Sequence, residues 1–136
     1  MSIKILVVDD EPDIRELVMA VLRPEDENYE FIEAEDGKKA LEKAAECKPD
    51  IIILDIMMPE MDGHEACRQL RIRSTTKEIP IIFLTVKTEY ESREKGFDLG
   101  GDAYLTKPFD PAELSALVKG ILSGQVKTRR KTSGEP

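Results

Sequence analysis

Five side chains stand where apolar runs end, and their types together suit the handling of a phosphoryl group. Asp9 and Asp10 follow Ile3–Val8, Asp55 closes Ile51-Ile52-Ile53-Leu54, Thr85 closes the run from Ile79, and Lys107 comes just after Asp102–Leu105. If each run is a strand of one parallel sheet, all five lie at its carboxyl-end rim, where open α/β sheets bind their ligands. Three carboxylates within a few ångströms repel one another unless a cation sits among them. Oxygen donors of this kind suit Mg2+, which takes one or two carboxylates, water and a phosphate oxygen in preference to an all-protein cage, with Mn2+ a chemically close substitute. Set opposite such a metal, a hydroxyl and an ammonium leave a place for a phosphoryl group. Asp55 is then the nucleophile, the metal and Lys107 neutralise charge on the transferred oxygens, and Thr85 donates to one of them. Each residue alone has an ordinary explanation: a cap for an Asp, β-propensity for a Thr, solvation for a Lys before Pro. The coincidence of all five at one rim does not.

The elements that must position them follow from hydrophobic period and punctuation. The unbroken apolar run Ile51–Leu54, set off by Pro49 and Pro59, has the pattern of a central strand buried on both faces. Ile3–Val8 is β-branched and apolar, and Tyr29–Ala34 alternates weakly, as a strand near an edge does. Pro12 and Asp13 open a helix whose inward face is expected to be Ile14, Leu17, Val18, Val21 and Leu22, ending at Pro24. Asp36 is placed to cap a second helix carrying Ala40, Leu41, Ala44 and Cys47, and Asp62 a third carrying Ala66, Cys67 and Leu70. Ile79–Thr85 reads as the fourth strand, with Pro80 tolerable at its start, and Asp102–Leu105 as the fifth. Between them a fourth helix, about Glu89 to Leu99, has only Tyr90, Phe97 and Leu99 as large apolar residues, which predicts a loosely held element. Asp110-Pro111 starts a last helix with Leu114, Leu117, Val118, Ile121 and Leu122 inward. Five strands alternating with five helices make a (βα)5 doubly wound α/β domain, a parallel five-stranded sheet covered on both faces by right-handed crossovers.

A length of 136 residues suits one domain with a single sizeable core. The net charge is −8; residues 124–136 carry Lys127, Arg129, Arg130 and Lys131 against Glu135, a net +3, so residues 1–123 hold −11. An acidic body argues against nucleic acid as its direct ligand, since phosphate backbones reward Lys and Arg. Cys47 and Cys67 lack CxxC spacing and a neighbouring His, so they read as small buried apolar residues and not as a zinc or redox site. No apolar stretch approaches the roughly 18 residues of a membrane span, and a cytoplasmic location is expected. From Gly124 the apolar pattern gives way to basic, Gly, Ser and Thr residues, the composition of a flexible tail or of a linker to an output domain. The expected division is therefore a domain over residues 1–123 and a basic segment over 124–136.

Val8-Asp9-Asp10-Glu11, then Asp55-Ile56-Met57-Met58-Pro59 with Asp62-Gly63, then Leu84-Thr85, then Tyr104-Leu105-Thr106-Lys107-Pro108-Phe109 resemble, in order and spacing, the receiver domain of two-component response regulators over about residues 3–122. The resemblance implies the flavodoxin-like strand order 2-1-3-4-5 that chemotaxis receivers have. It implies that Asp55 accepts a phosphoryl group from a phosphohistidine on a sensor histidine kinase or phosphotransfer protein. Asp10 and Asp55 would be direct metal ligands with the backbone carbonyl of Met57, and Asp9 would act through water. Thr85 and Tyr104 would be a switch pair, and Lys107-Pro108 a cis peptide. The chain would be a phosphoacceptor switch, not an enzyme on another substrate, though one that assists its own phosphorylation and dephosphorylation. The surface around the fourth helix, fifth strand and fifth helix would meet a partner, an output domain or a second copy of the chain.

Two residues depart from the family's habit. Val86 follows Thr85 where Ala or Gly is usual, and its β-branched side chain is expected to narrow access to the phosphoryl group; Glu94 replaces a residue that is often aliphatic. Met57 and Lys87, each two residues beyond a site residue, flank the path of an attacking water and are expected to set phosphoryl lifetime. The single histidine, His64, reads as a partly exposed helix residue, because a relay or metal role needs partners the sequence does not supply. A Mg2+-dependent phosphatase or phosphotransferase with an Asp nucleophile is the rival reading, but it would carry a second Asp where Met57 stands. A docking module that works without phosphorylation is disfavoured by the intact set Asp10, Asp55, Thr85 and Lys107.

Overall fold

Each strand forms where the sequence runs apolar and β-branched, and the five pair in parallel. In a computed structural model, which describes residues 2–86 and 100–124, they are β1 (Ile3–Val8), β2 (Tyr29–Ala34), β3 (Ile51–Asp55), β4 (Ile81–Thr85) and β5 (Ala103–Thr106), in the order β2-β1-β3-β4-β5. The described helices are α1 (Pro12–Leu22), α2 (Gly37–Cys47), α3 (Gly63–Ile72) and a last helix, Pro111–Ser123. The expected helix about Glu89 to Leu99, with Glu94, lies outside the described residues, as do Lys87 and residues 125–136.

The strand pleat divides the core in two. Ile52 and Leu54 of β3 pack with Leu6, Val8 and Phe83 against Ala40, Ala44, Ala66, Cys67 and Leu70 of α2 and α3. Ile51 and Ile53 pack on the other face with Ile5, Val7, Ile82 and Leu84 against Val18, Met19 and Leu22 of α1 and Leu114, Val118 and Ile121 of the last helix. A strand sandwiched this way has no solvent face, which is why its sequence is an unbroken apolar run. Helix starts obey the expected caps: Asp36 accepts from the Lys39 N–H, Asp62 from Glu65 and Asp110 from Ala112.

Several expectations need correction. The inward face of α1 is turned from the one expected: Met19 is buried, and Leu17 is 48% exposed. The stripe at Arg15, Met19 and Leu22 also faces inward, and apolar spacing could not find it because an Arg lies on it. The fourth strand begins at Ile81 and not Ile79; Pro80, lacking an N–H, stays outside and only its carbonyl joins the sheet, accepting from the Ile52 N–H at 2.9 Å. The fifth begins at Ala103, because Asp102 turns its carboxylate into the protein, accepting from Ile81 N–H at 2.8 Å and pairing with Arg71 at 3.1 Å. Cys67 is buried, whereas Cys47, at the end of α2, is only half-buried.

Candidate functional site

Strand register brings the expected residues to one rim. Val8, the last residue of β1, pairs with Leu54, so the Asp9 and Asp10 pair that follows comes level with Asp55; Asp55 pairs with Leu84, and Thr85 with Thr106. A carboxylate oxygen from each of Asp9, Asp10 and Asp55 lies within 4.8 Å of the other two. Asp9 and Asp55 are buried, 0% and 2% exposed, while Asp10 faces solvent. The backbone holds Asp55 from several sides: the Ile56 N–H donates to Leu84 carbonyl at 3.0 Å, and the Met57 N–H donates to Asp55 Oδ1 at 3.4 Å.

Lys107 reaches into this cluster. Its Nζ donates to Asp9 Oδ2 at 3.0 Å and lies 3.1 Å from Asp55 Oδ1. Its own N–H donates to the Thr85 carbonyl at 2.7 Å, which ties the residue to the end of β4, and the Lys107–Pro108 peptide is cis. Burial pulls the Lys107 ammonium down, but the hydrogen bond to Asp9 and the charges of Asp55 and Asp9 outweigh it and hold its pKa above the ordinary lysine value. Asp55 is pushed the other way for a carboxylate, up to about 6, by burial first and the Asp9 charge second; Lys107 offsets only part of this. One ammonium among three carboxylates leaves uncompensated negative charge at the rim. Hard oxygen donors with a charge deficit fit a divalent cation of the Mg2+ class.

The remaining expected residues are distributed around this centre. Thr85 is fully buried at the end of β4, and Val86 beyond it is 61% exposed. Met57 is 53% exposed at the start of the loop after β3. Tyr104 is half-buried, its ring centroid 5.2 Å from that of Phe83. His64 corrects the sequence expectation: it is 6% exposed, its Nε2 is 3.2 Å from the Tyr104 hydroxyl, and its ring meets Phe83 edge-on at 5.3 Å. Helical spacing could not show this, because the partners come from β4 and β5. Sequence reading also missed Arg15, whose Nη1 donates to the Asp9 carbonyl at 2.6 Å while its Nε pairs with Glu33 at 2.9 Å.

Among known proteins, the chain is 48% identical over 122 residues to the alkaline phosphatase synthesis transcriptional regulatory protein PhoP of Bacillus subtilis, covering 90% of this chain and 49% of that protein. The chain thus spans about half the length of the curated relatives it matches. Among solved structures, the chemotaxis response regulator CheY4 of Vibrio cholerae superposes with a TM-score of 0.81 at 36% identity, over 89% of this chain and 99% of that one. The receiver domain of a sensor histidine kinase from Pseudomonas aeruginosa, solved with a magnesium ion coordinated in its active site cleft, gives a TM-score of 0.81 at 31% identity, over 90% of this chain and 99% of that one. Residues 5–119 match the model of the response regulator receiver domain. A rim of carboxylates reached first from the residues, on a sheet in this strand order, thus meets an independent match over most of the chain, and the protein belongs to the response regulator receiver domain family.

Proposed function

We propose that Asp55 is the phosphoacceptor of a signalling switch, taking its phosphoryl group from a phosphohistidine on a sensor kinase or phosphotransfer protein. The observation that carries this is the position of Lys107 Nζ, 3.1 Å from Asp55 Oδ1 and 3.0 Å from Asp9 Oδ2. An ammonium held there by two carboxylates is preorganised for charge that develops on transferred phosphoryl oxygens. Asp10, Asp55 and the Met57 carbonyl would hold Mg2+, or Mn2+ in its place, with Asp9 acting through water, and the bound cation would supply charge neutralisation for the phosphoryl oxygens. The Asp55 carboxylate attacks phosphorus in line with the leaving imidazole nitrogen, and the bond from nitrogen to phosphorus breaks as the acyl phosphate forms. Thr85 then donates its hydroxyl to the phosphoryl group, and Tyr104 moves with it as the reporting aromatic. The same site assists loss of the phosphoryl group to water, and Met57 and Lys87 set its lifetime.

The domain reading follows the same lines. Residues 1–123 are the receiver, and 124–136 are a basic tail or the start of a linker to an output domain, the kind of domain that relatives named as transcriptional regulators suggest. The downstream surface is the one around the expected fourth helix, β5 and the last helix. It meets the output domain or a second phosphorylated copy. No helix among the described residues is long and apolar enough to cross a membrane. A cytoplasmic site of action is the reading that suits a partner of sensor kinases.

The deciding experiment is incubation with Mg2+ and acetyl phosphate, followed by intact mass spectrometry. The wild-type chain gains the mass of one phosphoryl group and Asp55→Asn gains none; phosphorylation of the variant to the same extent removes Asp55 from its role. A second expectation concerns Val86, 61% exposed beside Thr85. In Val86→Ala, relief of about 1 kcal/mol of crowding raises the rate with acetyl phosphate roughly fivefold. An unchanged rate in stopped assays removes the steric role of Val86.

A further inference from the structure

We propose that Arg15 is a positioning residue for the metal, setting through the backbone where the Asp10 carboxylate stands. This rests on the magnesium reading above and concerns a residue outside the five that define the rim.

Arg15 lies in the first turns of α1, where a positive charge opposes the helix dipole, so the position is unfavourable for a cation on local grounds. It faces the protein nonetheless, its side chain 15% exposed. The guanidinium divides its donors: Nε pairs with Glu33 Oε1 of β2 at 2.9 Å, and Nη1 donates to the Asp9 carbonyl at 2.6 Å. The Asp9 N–H donates to the Ala34 carbonyl, also on β2, at 3.2 Å. Asp9 is therefore held at both backbone ends, and its carboxylate is held as well, by the Glu11 N–H on Oδ1 at 2.9 Å and Lys107 Nζ on Oδ2 at 3.0 Å.

Asp10 is different. It is exposed, and no hydrogen bond to its carboxylate is made from among the described residues. The peptide plane joining Asp9 to Asp10 fixes the direction in which Asp10 leaves the strand, and the oxygen of that plane is the atom Arg15 grips. Arg15 thus orders a side-chain metal ligand that makes no hydrogen bond of its own among the described residues, and Glu33 orders Arg15. The planar fork suits this task and a lysine does not, since one ammonium cannot hold both acceptors in that geometry.

Two physical effects of Arg15 on Mg2+ have opposite signs, which makes the proposal testable. As a nearby positive charge it repels a cation, so by field alone Arg15→Ala binds Mg2+ more tightly and Arg15→Lys binds it unchanged. As a positioning residue it strengthens binding. Removing a group that orients a metal ligand typically weakens metal affinity about 10- to 100-fold. The experiment is calorimetric titration of the unphosphorylated chain with MgCl2 for wild type, Arg15→Ala, Arg15→Lys and Asp10→Asn, with thermal melts of each in EDTA. The expected result is that Arg15→Ala and Arg15→Lys both weaken Mg2+ about tenfold, at the lower end of that range. A tether with no role at the rim lowers the melting temperature and leaves the Mg2+ affinity alone, and that result overturns the proposal, as does tighter binding by Arg15→Ala. If Arg15→Ala does not fold, Arg15→Lys decides, because the field account predicts no change for it. Asp10→Asn separates the layers: if it binds Mg2+ as wild type does, the metal reading itself fails; if it loses binding while both Arg15 variants keep it, only the positioning role fails.

Discussion

Asp55→Asn is expected to make the metal-free chain more stable at pH 7.5, by about 2–3 kcal/mol, although it removes the proposed phosphoacceptor. The carboxylate is buried, and its pKa in the folded chain is about 6 against an ordinary 3.8. A pKa raised on folding means that the native state binds a proton more readily than the unfolded one. Between pH 4 and 6 the contribution of Asp55 to stability therefore falls as pH rises, and above pH 6 the wild-type chain carries the full cost of an ionised Asp55 next to Asp9. Lys107 does not reverse the sign, because burial and the Asp9 charge outweigh it, and in the variant it keeps its bond to Asp9. Asn is neutral at every pH, so its advantage should be near zero at pH 4, grow through pH 5 and 6 and level off above 7. Urea denaturation in EDTA at four pH values measures this difference directly. A variant less stable than wild type at pH 7.5, or a difference independent of pH, would show that Lys107 compensates Asp55 fully. On the magnesium reading, added Mg2+ should close the gap, since a ligand bound to the native wild type stabilises it by mass action.

A site that costs stability was legible in sequence because it violates the apolar pattern around it. Asp55 ends a run that would otherwise continue, and a charge there has no packing role to perform. Position along a strand is a one-dimensional property, so the rim could be assembled from the ends of four runs without knowing a single contact. The strand order could not: nothing local distinguishes β2-β1-β3-β4-β5 from other right-handed arrangements, and it came from resemblance to receivers. The misreadings share a cause. By helical period alone His64 reads as partly exposed and Leu17 as buried, whereas burial on a helix depends on what packs against it and not only on its own period. Arg15 gives no signal in the sequence because a cation in an otherwise amphipathic helix reads as solvated, and its partners, Glu33 and the Asp9 carbonyl, are 18 and 6 residues away. The helix expected to carry Cys47 does end there, ahead of Pro49, but its cap gives no signal of its own: Lys48 adopts the left-handed conformation (φ 49°) that Gly or Asn usually marks.

Gly63 is where backbone, and not side chain, places Asp55, and Gly63→Ala should cost about 2–3 kcal/mol of stability. The residue begins α3, a place where Ala is ordinarily preferred to Gly by up to about 1 kcal/mol, so propensity predicts the opposite sign. Space decides. A methyl at Gly63 would overlap the Asp55 carbonyl oxygen and lie 2.8 Å from Ile56 Cα, and both obstacles are backbone at the end of the central strand. They cannot move without breaking the Gly63 N–H bond to the Ile56 carbonyl at 2.9 Å or the Ile56 N–H bond to Leu84 at 3.0 Å. Gly37 supplies the contrast. A methyl there meets Met61 Cγ and Sδ at 2.9 Å, the flexible end of an adaptable side chain, so Gly37→Ala should stay within about 1 kcal/mol of wild type. Equilibrium denaturation of the two variants side by side distinguishes contact with backbone from contact with a movable side chain. Equal and small losses would mean that the turn after Asp55 yields easily. A large loss confined to Gly63→Ala would mean that the Asp55 carbonyl is wedged against α3, so that any displacement of Asp55 must be transmitted to the first turn of that helix.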